Sequence, residues 1–252
     1  MGYFLSAAAV RCTGSRSTSG WRWPRARWND RGGIPFLATA NLQADRAEHG
    51  EEVARMAATG VAGVVLVPPD GLGQDQNELA DYLAALADQT PCPVFLYEWP
   101  QRQPCEIAPA IYRMLVREHS VVGIKDTTCT QEGIQAKIAA APESIIYQAN
   151  TPYLVDGIQL GARGSMAITS TVATDILVKF WWNLLDKTEE ANLQHQQLVF
   201  LDALLRFGYP ATAKYLAYLR GIPFDLTCRG FAGRLSSEGA KAMSVWWEAY
   251  QR

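Results

Sequence analysis

From Ile34 onward the chain repeats one pattern: a short apolar run, a polar stretch with helical spacing, then another apolar run. The runs are I-P-F-L-A-T-A at 34–40, G-V-V-L-V-P-P at 63–69, P-V-F-L-Y-E-W at 93–99, V-V-G-I-K at 121–125, S-I-I-Y-Q-A-N at 144–150 and G-S-M-A-I-T-S at 164–170. They are continuous rather than alternating, which is how a parallel strand buried on both faces reads. Between them lie stretches such as A-E-H-G-E-E-V-A-R-M-A-A, with apolar positions at Val53, Met56 and Ala57. Strands that alternate with helices imply a parallel α/β sheet or barrel. After residue 171 the alternation stops, and helices are expected, broken near 208–210 (G-Y-P) and 221–223 (G-I-P). Neither a linker nor a low-complexity tract divides the chain, so a single domain is expected.

Composition narrows the function classes. A length of 252 residues suits one α/β barrel, and 48% hydrophobic content can fill its core. A net charge of −2 supplies no field for nucleic acid or an anionic membrane surface. Cys12, Cys92, Cys105, Cys129 and Cys228 are odd in number and scattered, which fits a reducing cytoplasm and no disulfide framework. His49, His119 and His195 lie far apart on polar stretches, where solvated helix faces are the expectation and no metal cluster can be read. No apolar run approaches the roughly 18 residues that a membrane span requires.

The first 33 residues break the pattern: they hold six arginines, four serines, three tryptophans and one acid, Asp30. Such a composition resembles an organelle transit peptide. The opening M-G-Y-F-L-S-A-A-A lacks the basic region of a secretory signal, and the W/R run alone is a poor case for stacking on single-stranded nucleic acid.

The chemistry gathers where strands should end. Of six lysines none precedes Lys125, which directly follows Val121, Val122 and Ile124. Burial lowers a lysine's pKa, because the charged form loses hydration. A lysine so tuned is a nucleophile for carbonyl carbon. In a barrel, catalytic residues sit at the C-terminal ends of the strands. Collecting those ends gives Thr39 and Asn41, Pro68-Pro69-Asp70, Tyr97-Glu98, Lys125-Asp126-Thr127-Thr128, Asn150, and Thr169-Ser170. Tyr97 and Lys125 would then lie at one rim, on neighbouring strands, where a phenol can pass protons to and from a carbinolamine. Arg102 follows in the loop over that rim, where a guanidinium can grip a carboxylate bidentately.

G-I-K-D at 123–126, L-Y-E-W-P-Q-R at 96–102, G-V-V-L-V-P-P at 63–69 and L-G-A-R-G-S-M-A-I-T at 160–169 occur in an order and spacing that resemble the dihydrodipicolinate synthase/N-acetylneuraminate lyase family. A-T-A-K-Y-L-A-Y-L-R-G-I in the helical tail also fits, and the resemblance runs from about Ile34 to the tail. It implies a (β/α)8 TIM barrel with a C-terminal helical extension, a homo-oligomer (dimer or tetramer) without cofactor or metal. The implied activity is that of a class I lyase or aldolase. Its lysine forms a Schiff base with pyruvate or another 2-oxo acid, and the enzyme then makes or breaks a carbon–carbon bond or eliminates water against an aldehyde or sugar-acid partner. Carried over residue by residue, Lys125 becomes the Schiff-base lysine and Tyr97 the proton-transferring tyrosine. Arg102 stands where the synthases hold the second substrate's carboxylate, and Met166 where a strand-8 backbone carbonyl faces the lysine. Thr127 and Asn150 complete the expected substrate-binding set.

There are departures. After Pro69 this chain has D-G-L-G where the synthases usually carry tyrosine, and Glu98 replaces the asparagine usual after the catalytic tyrosine. Both argue against an authentic dihydrodipicolinate synthase and leave the second substrate open. The G-T-T-G-E motif of strand 2, which binds the 2-oxo-acid carboxylate, is absent, and strand 1 is missing. The resulting division is an aberrant segment at 1–33 with a strand-2 remnant at 2–6, barrel strands 3–8 with helices at 34–185, and the helical extension at 186–252. Residues 7–33 are read as translated out of frame. GC-rich codons chosen for T-G-S-R-S-T-S-G-W-R-W at 13–23, read two bases later, give W-L-T-L-D-E-R-M-A-L, which resembles the helix that follows G-T-T-G-E. The alternative is a family homologue that has lost catalysis. A phosphate-binding barrel fits poorly, since G-A-R-G at 161–164 precedes a strand instead of opening a helix.

Overall fold

A computed structural model describes residues 35–223, 225–228 and 234–251. The strand-2 remnant, the out-of-frame reading and the rest of 1–33 lie outside the described residues. Each expected run forms a strand, trimmed at its ends: β1 (Leu37–Thr39), β2 (Gly63–Leu66), β3 (Val94–Tyr97), β4 (Val121–Asp126), β5 (Ile145–Gln148) and β6 (Gly164–Ser165). All neighbours pair in parallel and in chain order, β1-β2-β3-β4-β5-β6. Helices alternate with them: α1 (His49–Ala57), α2 (Gln76–Asp88), α3 (Pro109–Glu118), α4 (Gln131–Ala140) and α5 (Leu154–Leu160). This is the α/β order of a TIM barrel. The chain divides into two compact units, the first ending at Met166 and the second beginning at Ala167.

In the first unit, strand alternation sorts side chains onto two faces. Ala38, Val64, Leu66, Val94, Leu96, Ile124 and Ile146 point outward and are covered by helix residues such as Leu79, Leu83 and Leu115. Leu79 and Leu83 are fully buried, one turn apart on α2. That helix starts where Asp75 accepts from the Asn77 and Glu78 amides, an N-cap worth about 1 kcal/mol. The inner face holds Leu37, Val65, Phe95, Tyr147 and Met166, with Tyr97, Val122 and Ile145 packed against them.

The β3–β4 register shifts between Val94 and Phe95: Val94 pairs with Val121, whereas Phe95 pairs with Gly123. The extra residue is a β-bulge, a device that re-aims the side chains beyond it. Past it, Tyr97 and Lys125 are partners and share the inner face. Two close approaches here require glycine. A Cβ on Gly123 would lie 2.5 Å from the Ile145 carbonyl oxygen and 3.0 Å from the Phe95 ring. One on Gly164 would meet the Tyr147 ring at 2.5 Å.

The second unit is helical: α6 (Thr174–Leu185), α7 (Glu190–Arg206), α8 (Ala211–Leu219) and α9 (Ser237–Tyr250). The breaks fall at G-Y-P and G-I-P, as the sequence predicts. Leu198, Leu201 and Leu205 form the buried stripe of α7. Trp246 of α9 donates to the Gln197 carbonyl, 3.3 Å away, and Arg220 pairs with Asp175 at 2.6 Å.

Gly123→Ala is expected to destabilise the protein by about 1–3 kcal/mol, the usual cost of forcing atoms into a packed core. A thermal melt reads it. An unchanged melting temperature would show that both the Ile145 carbonyl and the Phe95 ring can move aside.

Candidate active site

The inner layer at the C-terminal end of the sheet runs in register across four strands: Tyr97 on β3, Lys125 on β4, Tyr147 on β5 and Gly164 on β6. Cα partners in a parallel ladder point the same way, so Lys125 is flanked by two tyrosines. Its Nζ lies 3.9 Å from the centroid of the Tyr97 ring. Gly123, two residues earlier on the same strand, leaves room beneath it. The Phe95 and Tyr147 rings converge across that gap with centroids 6.1 Å apart. The amine therefore stands on an aromatic floor. Desolvation alone lowers the Lys125 pKa to about 8. The Tyr147 phenol is pushed up to about 12 by its own burial, so it is neutral beside the lysine.

Strand alternation assigns Lys125 and Asp126 to opposite faces: Asp126 points outward, fully buried, and Lys137 of α4 takes it at 3.1 Å. Glu98, next after Tyr97, also points outward and meets the same ammonium at 2.5 Å. Burial pushes the Glu98 carboxyl up to about 7 against the pull of Lys137. Glu98 also accepts from the Ile107 amide at 2.8 Å and the Thr127 amide at 3.2 Å.

The remaining expected residues fall into two groups. Thr127 and Asn150 join each other: the Thr127 hydroxyl donates to the Glu98 carbonyl at 2.8 Å, and the Asn150 amide donates to the Thr127 carbonyl at 3.1 Å. Met166 is buried just past β6, its amide donating to the Gln148 carbonyl at 3.0 Å. Arg102 belongs to a different set of contacts. Its guanidinium lies 5.3 Å from the Trp99 ring and makes long hydrogen bonds to the carbonyls of Asn41 (3.4 Å) and Leu42 (3.5 Å). It lines a cavity of about 670 Å³ with Gln43, Arg46, Pro69, Asp70 and Glu78.

The histidine expectation needs correction at His49, which is only 1% exposed. Its ring bridges the Tyr82 hydroxyl (2.7 Å) and the Gln43 carbonyl (2.9 Å), so it fixes the loop after β1 instead of facing solvent. Sequence reasoning also passed over Tyr147 and Lys137. Lys137 did leave a signal, since it falls one turn after Ile134 on the apolar face of α4, an odd place for an ammonium. Among the described residues, no group of three His, Cys, Asp or Glu is placed to hold a metal ion, and no helix is long and apolar enough to cross a membrane.

An amine with a lowered pKa costs stability while it is protonated. Below pH 8 the folded protein carries a desolvated ammonium; from about 8 to 10.5 only the unfolded chain binds that proton, so stability rises with pH. Lys125→Met should therefore stabilise the protein at pH 7 by about 1–3 kcal/mol, the lower end allowing for solvent screening. The gain should shrink as pH climbs through that window. Denaturant melts at pH 7 and pH 10 check it, and equal gains at both would contradict the origin given for the shift.

Known proteins resemble this chain in sequence and in fold. The model of the dihydrodipicolinate synthetase family matches residues 45–249. The 4-hydroxy-tetrahydrodipicolinate synthase of Bacillus subtilis is 31% identical over 169 residues, covering 65% of this chain and 58% of that protein. That of Acidiphilium cryptum is 26% identical over 204 residues, covering 78% and 68%. The chain thus spans from 49% to 68% of the length of these curated relatives, that of Escherichia coli included. Among solved structures, dihydrodipicolinate synthase from Thermotoga maritima superposes with a TM-score of 0.83 at 18% identity, over 93% of this chain and 82% of its own. A prophage protein of the dihydrodipicolinic acid synthase family from Escherichia coli, solved with pyruvate, gives 0.80 at 20% identity, over 92% and 80%. These likenesses establish the fold, and the family match over 45–249 establishes the kinship: the chain belongs to the dihydrodipicolinate synthetase family.

Proposed function

We propose that this protein is a lyase or aldolase that binds a 2-oxo acid of the pyruvate type as a Schiff base on Lys125. The observation that carries the reading is the amine itself, half-buried on an aromatic floor and resting on the Tyr97 ring at 3.9 Å. With a pKa of about 8 instead of 10.5, on the order of 10²-fold more of it is neutral at pH 7, since each unit is tenfold. The neutral amine attacks the 2-oxo carbon and gives a carbinolamine, which loses water to the imine. Tyr97 serves as the acid–base group: its phenol supplies the proton that leaves with the hydroxyl and recovers one in the next half-reaction. The protonated imine acidifies the adjacent carbon, whose proton passes to the Tyr97 phenolate to leave an enamine; the enamine adds to an aldehyde or sugar-acid partner, and the reverse course releases one.

Arg102 holds a carboxylate of that partner. Its hydrogen bonds to protein are long, and the adjoining cavity has room for a small acid. Thr127 and Asn150 act as props of the rim, because their donors are already committed to backbone carbonyls. Met166 contributes through its backbone and through its place in the inner cluster.

Borohydride reduction in the presence of pyruvate, followed by mass mapping, tests the proposal. A reduced adduct on Lys125, lost in a folded Lys125→Ala protein, is the expected result. No adduct across a panel of 2-oxo acids would favour a homologue that has lost catalysis. Tyr97→Phe should slow turnover by roughly 10²-fold, the usual scale for a positioned acid–base group. Arg102→Ala should chiefly raise KM for an acidic second substrate; if KM for such a substrate stays put, the carboxylate is held elsewhere.

A further inference from the structure

Three buried charged groups lie behind the reacting pair and take no part in the chemistry just described. Tyr97 and Lys125 face inward, and each is followed at once by a carboxylate that faces outward: Glu98 and Asp126, both fully buried. One side chain serves both. Lys137 is 3% exposed, and its ammonium contacts Glu98 Oε1 at 2.5 Å, Asp126 Oδ1 at 3.1 Å and the Thr128 hydroxyl at 2.7 Å. The carboxylates are themselves fastened to the strand ends. Glu98 accepts from the Thr127 amide across the β3–β4 gap and from the Ile107 amide, while Asp126 accepts from the Thr128 amide at 2.9 Å and from Gln148 of β5 at 3.4 Å.

We propose that Lys137 is a positioning residue: by binding the carboxylates next to Tyr97 and Lys125, it holds the ends of β3 and β4 at the spacing that seats the amine on the Tyr97 ring. The role assigned to that pair rests on the Schiff-base reading; the mechanical claim does not. Three contacts suit Lys137 to the part. It comes from α4, outside the sheet, so its hold does not depend on the ladder hydrogen bonds. It spans two strands. Its partners are residues adjoining the reacting ones, so a displacement of either carboxylate moves Tyr97 or Lys125 through a single peptide unit. The other titratable groups near this cluster do not compete for the ammonium. The Tyr112 hydroxyl donates to Ser144 at 2.7 Å, and both burial and the nearby Glu98 push the Cys105 thiol up.

If the hold is released, the strand ends part, water reaches Lys125, and its titration moves back toward that of an ordinary lysine. Trinitrobenzenesulfonate modification of Lys125 as a function of pH, read by peptide mapping, reports that midpoint with no substrate present. Glu98→Gln keeps the volume but offers one oxygen where Ile107, Thr127 and Lys137 supply three donors. The midpoint should rise by half a unit or more, and turnover should fall at least threefold with KM for the 2-oxo acid little changed. Lys137→Met, which removes the ammonium and leaves the Ile107 and Thr127 amides to Glu98, should move the midpoint the same way, and a folded Lys137→Met protein that titrates like the wild type overturns the proposal. Leu83→Ala, which weakens the core at α2, should lower the melting temperature and leave the midpoint alone. A folded Glu98 variant that titrates like the wild type overturns the proposal, as does a Leu83→Ala protein that shifts equally. Wild-type protein that gives no borohydride adduct with pyruvate removes the Schiff-base reading instead, and the midpoints still decide the role of Lys137.

Discussion

The site depends on desolvating an amine without, among the described residues, pairing it with a counter-ion. The chain holds two lysines in neighbouring elements and treats them oppositely. Burial pulls the Lys137 pKa down, but Glu98 and Asp126, both in contact with its ammonium, outweigh that and raise it. Lys125 has rings about it in place of charges, and burial lowers its pKa to about 8. Burial disfavours the charged form of both; the carboxylates beside Lys137 separate the inert lysine from the reactive one. The acid nearest in sequence, Asp126, would undo the effect if it reached Lys125, and strand alternation turns it to the other face.

Much of this was legible in the residues. Continuous runs of Val, Ile, Phe and Leu between helical stretches gave six strands in parallel order, because burial on both faces leaves little room for polar residues. The G-Y-P and G-I-P breaks fell between helices for the reason that proline and glycine interrupt the helix ladder. Tyr97 and Lys125 stood out as polar residues ending apolar runs. The run at 164–170 was read too long: only Gly164 and Ser165 pair as a strand, and a 3-10 turn takes over at Ile168. Ala149-Asn150 likewise fell outside β5, whose ladder ends at Gln148.

What local pattern could not supply was the choice of partners across the fold. His49 looked like a surface histidine because its neighbours Glu48 and Glu51 are exposed, yet a helix buries one stripe only, and His49 lies on it with Glu52 and Val53. Glu52 collects the Leu42 and Gln43 amides at 2.7 and 3.1 Å. Asn41, at a φ of 59°, continues the β1–β2 ladder with its side chain, exchanging hydrogen bonds with both backbone groups of Val67. The loop that carries Arg102's acceptors is thus built from polar residues that the sequence presents as unremarkable. Lys137 was hidden for a similar reason: its partners Glu98 and Asp126 stand on two other elements, and only their meeting explains a lysine on an apolar stripe.

The bulge in β4 has a consequence best put as parity. A strand's faces alternate, so every residue beyond a given point is assigned to inside or outside by whether the count before it is odd or even. One extra residue at Val122 reverses that assignment for all of Gly123–Asp126 relative to β3. Without it Lys125 would stand opposite Glu98 among the helices, and Asp126 would point at the rings. A single-residue deletion in V-V-G-I-K-D would therefore leave composition, strand and helices nearly as they are and turn the site inside out. Length, at this one place, is as much a part of the chemistry as the identity of the lysine.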